Sequence, residues 1–280
     1  MFSFFKKVHA KTIILTSHTI LTGEELAVSN LWQQRHATSN LAHIMGQAIN
    51  STEEPLDKAL TRYITSRALS SNVHQPIHEF AFTQENGVSG TLSHHGEAYQ
   101  VAIKGMPEYV LDLCDMSDNE REVVMMQIQA MSSQGLSVIA LASGIILRPI
   151  ADIHKLKKDE KLSLTGLIGL KLGISSRARQ CINAAATQGI TLYMCTGLHP
   201  TAAYYLTNQV GLAAQPRDVY DARHLDLVRP EELITLVAST NIFARALKDD
   251  CRRLQIAIRT IDETTVVAET IDDFEKLLAK

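Results

Sequence analysis

Few groups of residues in this chain combine the types and spacing that do chemistry. The first is Thr16-Ser17-His18, which follows the short apolar run Thr12-Ile13-Ile14-Leu15. A hydroxyl two residues from an imidazole could be a nucleophile and its general base, but such a pair works only at hydrogen-bond distance. A loop histidine with no chemical role is the favoured reading. The histidine pairs His74/His78 and His94-His95 lack further ligands at metal spacing, so solvated side chains are expected. Met125-Met126 reads as core or interface. Lys155, Lys157, Lys158 and Lys161 alternate with acids and read as a solvated border. Cys114, Cys181, Cys195 and Cys251 form no Cys-x-x-Cys pair, so neither a disulfide framework nor a zinc site is suggested. A reducing, cytoplasmic setting is the default.

The elements that must position these residues follow from pattern. The chain has 280 residues, 45% of them hydrophobic and 20% charged, with a net charge of −3. That composition suits a soluble globular protein of two domains, or one large one. It gives no electrostatic footprint for nucleic acid or an anionic membrane. No apolar run is long enough to insert in a membrane. Thr12 to Leu15 reads as a buried strand. Leu31, Leu41, Ile44, Met45, Ala48 and Ile49 fall at helical spacing, and Glu53-Glu54-Pro55 opens another helix. From Ile77 to Ile103 the texture is strand-like, punctuated by glycines. Helices follow over Pro107 to Leu113 and Asp118 to Met131, with Asp118 as N-cap, and Leu136 to Ala142 is a strand. After a charged border at Ile153 to Lys161, strands and helices alternate to the end, which implies a parallel sheet covered by helices.

Specific motifs sharpen this. Lys104-Gly105-Met106-Pro107-Glu108 resembles the Lys-Gly-Ala-Pro-Glu motif in the nucleotide-binding domain of P-type ATPases. Pro55-Leu56-Asp57-Lys58-Ala59-Leu60 resembles the start of that domain's acidic helix. Phe82 sits where the family has an adenine-stacking phenylalanine. Gly166 to Leu170 resembles the strand that re-enters the phosphorylation domain. Met194-Cys195-Thr196-Gly197 resembles the approach to Thr-Gly-Asp, and Asn241 to Arg245 resembles Val-Phe-Ala-Arg. The order holds from about Thr12 to Asp272.

The resemblance implies an α/β fold: a parallel-sheet, haloacid-dehalogenase-like domain with an inserted α+β domain like the P-type ATPase N domain. The expected boundaries are 1–28 and 162–280 for the former and 29–161 for the insert. It further implies a headpiece without flanking membrane helices, whose sheet ends early and leaves an edge for a partner.

Carried over position by position, the resemblance puts Thr16 where the family phosphorylates an aspartate. Leu198 replaces the aspartate of Thr-Gly-Asp, Leu172-Gly173 replaces Asp-Pro, and Cys251 stands at the phosphate-facing lysine. The metal loop aligns with Ile271 to Lys276 and keeps only Asp272. A threonine offers no anionic ligand to Mg²⁺, and Lys276 disfavours a dication. No metal site and no catalytic residue are therefore expected. On the nucleotide side Phe82, Lys104 and Gly105 remain, while basic residues after the phenylalanine become Gln84, Asn86 and Gly87. The first expectation is a catalytically inactive headpiece acting as an adaptor in a multi-subunit assembly, such as a bacterial secretion-system coupling complex. Its partners are proteins, with no nucleic acid and no direct membrane insertion. The second is a regulator holding ATP or ADP without hydrolysis or Mg²⁺. The third is a divergent Mg²⁺-dependent phosphatase or ATPase using Thr16 or Asp272.

Overall fold

A computed structural model describes residues 10–22, 26–35, 37, 39–51, 53–69, 75–83, 86–156, 160 and 162–279; His74, Gln84, Lys157, Lys158 and Lys161 lie outside these. The chain forms two compact units, Met1–Glu24 with Gly173–Lys280, and Glu25–Leu172. The discontinuous outer unit begins with β1 (Thr12–Leu15) and α1 (Thr19–Thr22). The inserted unit then runs β2 (Leu26–Gln33), α2 (Leu41–Gln47), α3 (Pro55–Ser66), β3 (Pro76–Phe80), β4 (Val88–His95) and β5 (Ala98–Gly105). It continues with α4 (Pro107–Asp112), α5 (Asp118–Ser132), β6 (Leu136–Ile146) and β7 (Ser163–Leu172). The outer unit resumes with α6 (Ser176–Thr187), β8 (Thr191–Thr196), α7 (Pro200–Asn208), β9 (Val219–Asp221) and α8 (Pro230–Ser239). It closes with β10 (Ile242–Ala244), α9 (Lys248–Ile261), β11 (Val266–Ala268) and α10 (Ile271–Leu278).

The outer sheet is wholly parallel in the order β11-β1-β8-β10-β9. Its strands are short apolar runs because helices cover both faces. All four residues of β1 are buried. The inserted sheet is antiparallel in the order β2-β7-β6-β5-β4-β3. Alternate residues of β5 serve different cores, as strand geometry requires. Val101 and Ile103 join the cluster with Val110, Val124 and Ile128, whereas Ala102 packs with Ile44, Met45 and Leu60. The α/β class and the inserted α+β unit are thus both present.

Several boundaries differ from the sequence reading. The units divide at 24/25 and 172/173, not at 28/29 and 161/162. The reason is β7, which pairs with both β2 and β6, with Leu26 opposite Leu172. Gly166 to Leu170 therefore completes the antiparallel sheet and does not re-enter the parallel one. Leu31 lies in strand β2, not in a helix. Three-residue β9 gave no usable pattern and was missed.

At α5 the N-cap is Ser117, one residue before the expected Asp118. Its Oγ accepts from Glu120 N at 3.3 Å, and Glu120 Oε2 accepts from Ser117 N at 2.8 Å. This reciprocal arrangement satisfies two donors that a helix end leaves open. Replacing Ser117 with Ala should lower the unfolding free energy by ~1 kcal/mol. Urea denaturation of the two proteins measures the difference.

Candidate functional site

Parallel α/β sheets assemble sites at the carboxyl ends of their strands. Here those ends carry Thr16 after β1, Thr196 on β8, Arg245 after β10 and Asp221 on β9. Thr16 donates twice to the Ala268 carbonyl at the end of β11, from its backbone N at 3.2 Å and from Oγ1 at 3.2 Å. Its hydroxyl proton thus lies on a carbonyl and not on a base. His18 lies against Thr196 instead, with Nδ1 3.3 Å from Oγ1. Thr196 Oγ1 also accepts from Leu198 N at 3.2 Å. Burial pushes the His18 pKa down to about 4, so the ring is neutral at pH 7.

The other aligned positions are dispersed among structural roles. Leu198 is buried and contributes only its backbone N to the Thr196 bond. Cys251 sits half-buried in the first turn of α9, packed against the core that includes Cys195 and Phe243. Asp272 lies in the first turn of α10, exposed, and pairs with Arg177 Nη2 at 2.6 Å. The same guanidinium takes Glu275 at 2.8 and 2.6 Å. His18 and Thr196 are therefore brought together, while Thr16 is turned to the Ala268 carbonyl and Asp272 to Arg177. Among the described residues, no group of three or more His, Cys, Asp or Glu is placed to hold a metal ion.

One cluster escaped the sequence reading because β9 did. Asp221 Oδ2 accepts from Arg245 Nη1 at 2.8 Å and from Arg223 Nη2 at 2.8 Å. Burial alone would push the Asp221 carboxyl up, but Arg223 and Arg245 outweigh it and hold it below the usual range. Arg245 is buried and takes a left-handed backbone with φ of 53°. Its N–H donates to Leu198 O at 2.9 Å, which clamps the turn. His199 beside them is held down to about 4, first by burial and then by Arg245.

In the inserted unit the lysine of the Lys-Gly-Met-Pro-Glu motif is 1% exposed. Lys104 Nζ donates to Ala48 O at 2.5 Å and Asn50 Oδ1 at 2.8 Å, and it pairs with Asp57 Oδ1 at 3.0 Å. Two of the ammonium's three donors are thus hydrogen-bonded, and the Asp57 carboxylate at ion-pair distance balances its charge. Asp57 Oδ2 accepts from the backbone N of Asn50 at 3.1 Å and of Ser51 at 2.9 Å. Burial draws the Lys104 pKa below the usual lysine range against the opposing pull of Asp57. Gly105 is required by strand approach, because a Cβ there would lie 2.3 Å from Gly87 O and 2.7 Å from Val88 Cα. Phe82, beyond the end of β3, is 44% exposed. Nearby, His78, Glu79, Phe80, Asn86 and Asp152 help line a pocket of ≈ 150 Å³, which neither Phe82 nor Lys104 borders.

Residues 34–171, nearly the whole inserted unit, match the family described as P-type ATPase, cytoplasmic domain N. This segment is similar to that family, and the chain is similar to P-type ATPases over most of its length. It is 25% identical over 246 residues to a probable cation-transporting ATPase I of Mycobacterium leprae (strain TN), a match covering 81% of the chain. It is 22% identical over 223 residues to calcium-transporting ATPase 1 of Bacillus cereus (strain ATCC 10987 / NRS 248), covering 76%. A probable cation-transporting P-type ATPase of Mycoplasma genitalium is 21% identical over 203 residues, covering 68%. These matches span 15%, 25% and 23% of the relatives' own lengths. Among the described residues, no helix is long and apolar enough to cross a membrane.

Two outcomes follow. Lys104→Met should destabilise the fold by ~3–5 kcal/mol, because it leaves Asp57 buried and unpaired. Adding Asp57→Asn should recover part of that loss in urea denaturation; equal loss in single and double variants would show that the pair is not coupled. Second, His18 and His199 both have pKa values below their unfolded value of 6.5, so the unfolded chain binds more protons as pH falls toward 4. Stability is retained above pH 6.5 and should decline below it, by ~2–3 kcal/mol for buried His18 near pH 4.5 and by less for part-exposed His199. His18→Gln should flatten that decline in denaturation series at stepped pH.

Proposed function

We propose that this chain is a non-catalytic headpiece of the P-type ATPase kind that works as an adaptor within a larger protein assembly. The observation that carries the reading is Thr16. Where a phosphoryl-accepting carboxylate would stand, there is a hydroxyl bonded to the Ala268 carbonyl. Among the described residues no group of three or more His, Cys, Asp or Glu is placed to hold a metal ion, and phosphoryl transfer depends on positioning and charge stabilisation of that kind. The burial of Lys104 beside Asp57 supports the same reading on the nucleotide side. Exposed Leu227 and Ile256, at 81% and 69%, suit contact with another protein. A secretion-system coupling complex is one assembly of this type. Exposed Phe82 favours a second reading, a regulator that stacks ATP or ADP without hydrolysing it.

The test is calorimetric titration with ATP, with and without Mg²⁺, alongside incubation with γ-labelled ATP. No binding heat at millimolar ATP and no phosphoprotein are expected, and Thr16→Asp should not restore phosphorylation. Micromolar binding without Mg²⁺ that Phe82→Ala abolishes would favour the regulator. Mg²⁺-dependent phosphate release lost in Thr16→Ala or Asp272→Ala would establish an enzyme.

A further inference from the structure

We propose that the pocket beside β3 is a binding site for an organic monocation, a guanidinium or alkylammonium group on a short apolar stem. Its walls come from two stretches far apart in sequence. His78, Glu79, Phe80 and Asn86 belong to β3 and its connection to β4, whereas Asp152 and Ile153 follow β6. Two hydrogen bonds fasten these stretches together. His78 Nε2 lies 3.1 Å from Ala151 O, and because a carbonyl only accepts, Nε2 is the donor. His154 Nε2 lies 3.1 Å from Asn86 Oδ1. Asp152 Oδ1 accepts from His154 N at 3.0 Å, which sets the turn between the two anchor points. Asn86 is also held from its own side, where its backbone N donates to Thr83 Oγ1 at 3.0 Å. The cavity of ≈ 150 Å³ is therefore built by the fold.

The lining decides what can enter. Phe80, Val88 and Ile153 are buried and belong to the core beneath, so the floor is apolar. The remaining lining includes two acids, Glu79 and Asp152, with Asn86 and His78, and neither lysine nor arginine. One oxygen of Asp152 caps His154 N, and the other is left to accept from a ligand. The Phe80 and His78 rings meet edge to face, with centroids 5.1 Å apart at 72°. Aromatic surface beside carboxylates suits a cation that carries N–H donors on a hydrocarbon stem. An anion is repelled by the two acids. An inorganic dication lacks ligands, because among the described residues no group of three or more His, Cys, Asp or Glu is placed to hold one. The cavity is also smaller than those that enclose a whole cofactor, so it takes a terminal group and a few carbons.

The site is separate from the motif residues. Phe80 and Val88 face the core that holds Val101 and Ile103, whereas Lys104 reaches from the other face of β5 to Ala48 and Asp57. It is independent of the adaptor reading as well, since a chain that binds neither ATP nor a protein still carries this pocket. Ile77 and Phe82, both 44% exposed, adjoin lining residues in sequence. They give apolar ground for the flanks of a peptide whose basic side chain enters the pocket.

The experiment is a titration of the isotope-labelled full chain with butylguanidinium, read by backbone amide shifts, with butylurea as the neutral isostere. Saturable shifts centred on Asn86, Ala151 and Asp152 are expected, with a Kd on the order of millimolar for so small a ligand. Butylurea should bind about tenfold more weakly. Asp152→Asn, which keeps a cap for His154 N, should weaken butylguanidinium by about tenfold as well. Comparing the two ligands on the unsubstituted chain needs no variant to fold. A second arm carries the guanidinium in a short acetylated peptide between two leucines. Tighter binding than butylguanidinium assigns the cation to a protein partner and equal binding to a free molecule, and either upholds the site. Equal binding of butylurea, no saturable shift at these residues, or undiminished affinity in Asp152→Asn would each overturn the proposal.

Discussion

An ammonium group buried without partners would be intolerable, and the inserted unit is arranged around meeting that requirement. Lys104 on β5 obtains its three partners from three places: the end of α2 at Ala48, the connecting loop at Asn50, and the first turn of α3 at Asp57. Asp57 in turn fixes the loop through two backbone N–H groups, and Asn50 Nδ2 reaches Phe80 O on β3 at 3.0 Å. One buried charge pair thus holds two helices, a loop and the sheet in register. Burial makes the pair demanding, because removing either Lys104 or Asp57 strands the other's charge. The motif that resembles a nucleotide-binding element has an adequate structural reason to be where it is.

The outer unit follows a related logic with weaker groups. At its strand ends, polar side chains answer one another: Thr16 with Ala268, His18 with Thr196, and Asp221 with Arg245 and Arg223. Near the start of α10, Asp272 and Glu275 enclose Arg177. Sites that bind or transform ligands commonly keep groups strained or incompletely satisfied for the ligand to complete.

The fold was largely legible in the sequence because periodicity is a strong signal for buried elements. The run Thr12 to Leu15 and the alternation of β5 read as they fold. The boundaries were harder. β7 is apolar on both faces, and an all-apolar strand looks alike in a parallel or an antiparallel sheet, so only pairing revealed its unit. At the site, the identity of Thr16 was readable, but its hydrogen-bond partner, the carbonyl of Ala268, is set by strand order. Lys104 carried the reverse difficulty. Its motif suggested exposure to a ligand, whereas the carboxylate that encloses it comes from a helix many residues earlier.

The register partnership of Leu26 with Leu172 has a consequence for how such a chain can fold. Antiparallel partners lie about 5 Å apart, so the inserted unit takes in and returns the chain at neighbouring points. Once that cassette has folded, it acts on its host as a short connection would. β1 is then tethered near β8 despite the long stretch between them, and the chain entropy of closing that loop has already been met by the insert's own core. The host sheet, whose central strands come from opposite sides of the insertion, inherits a low effective contact order from its guest.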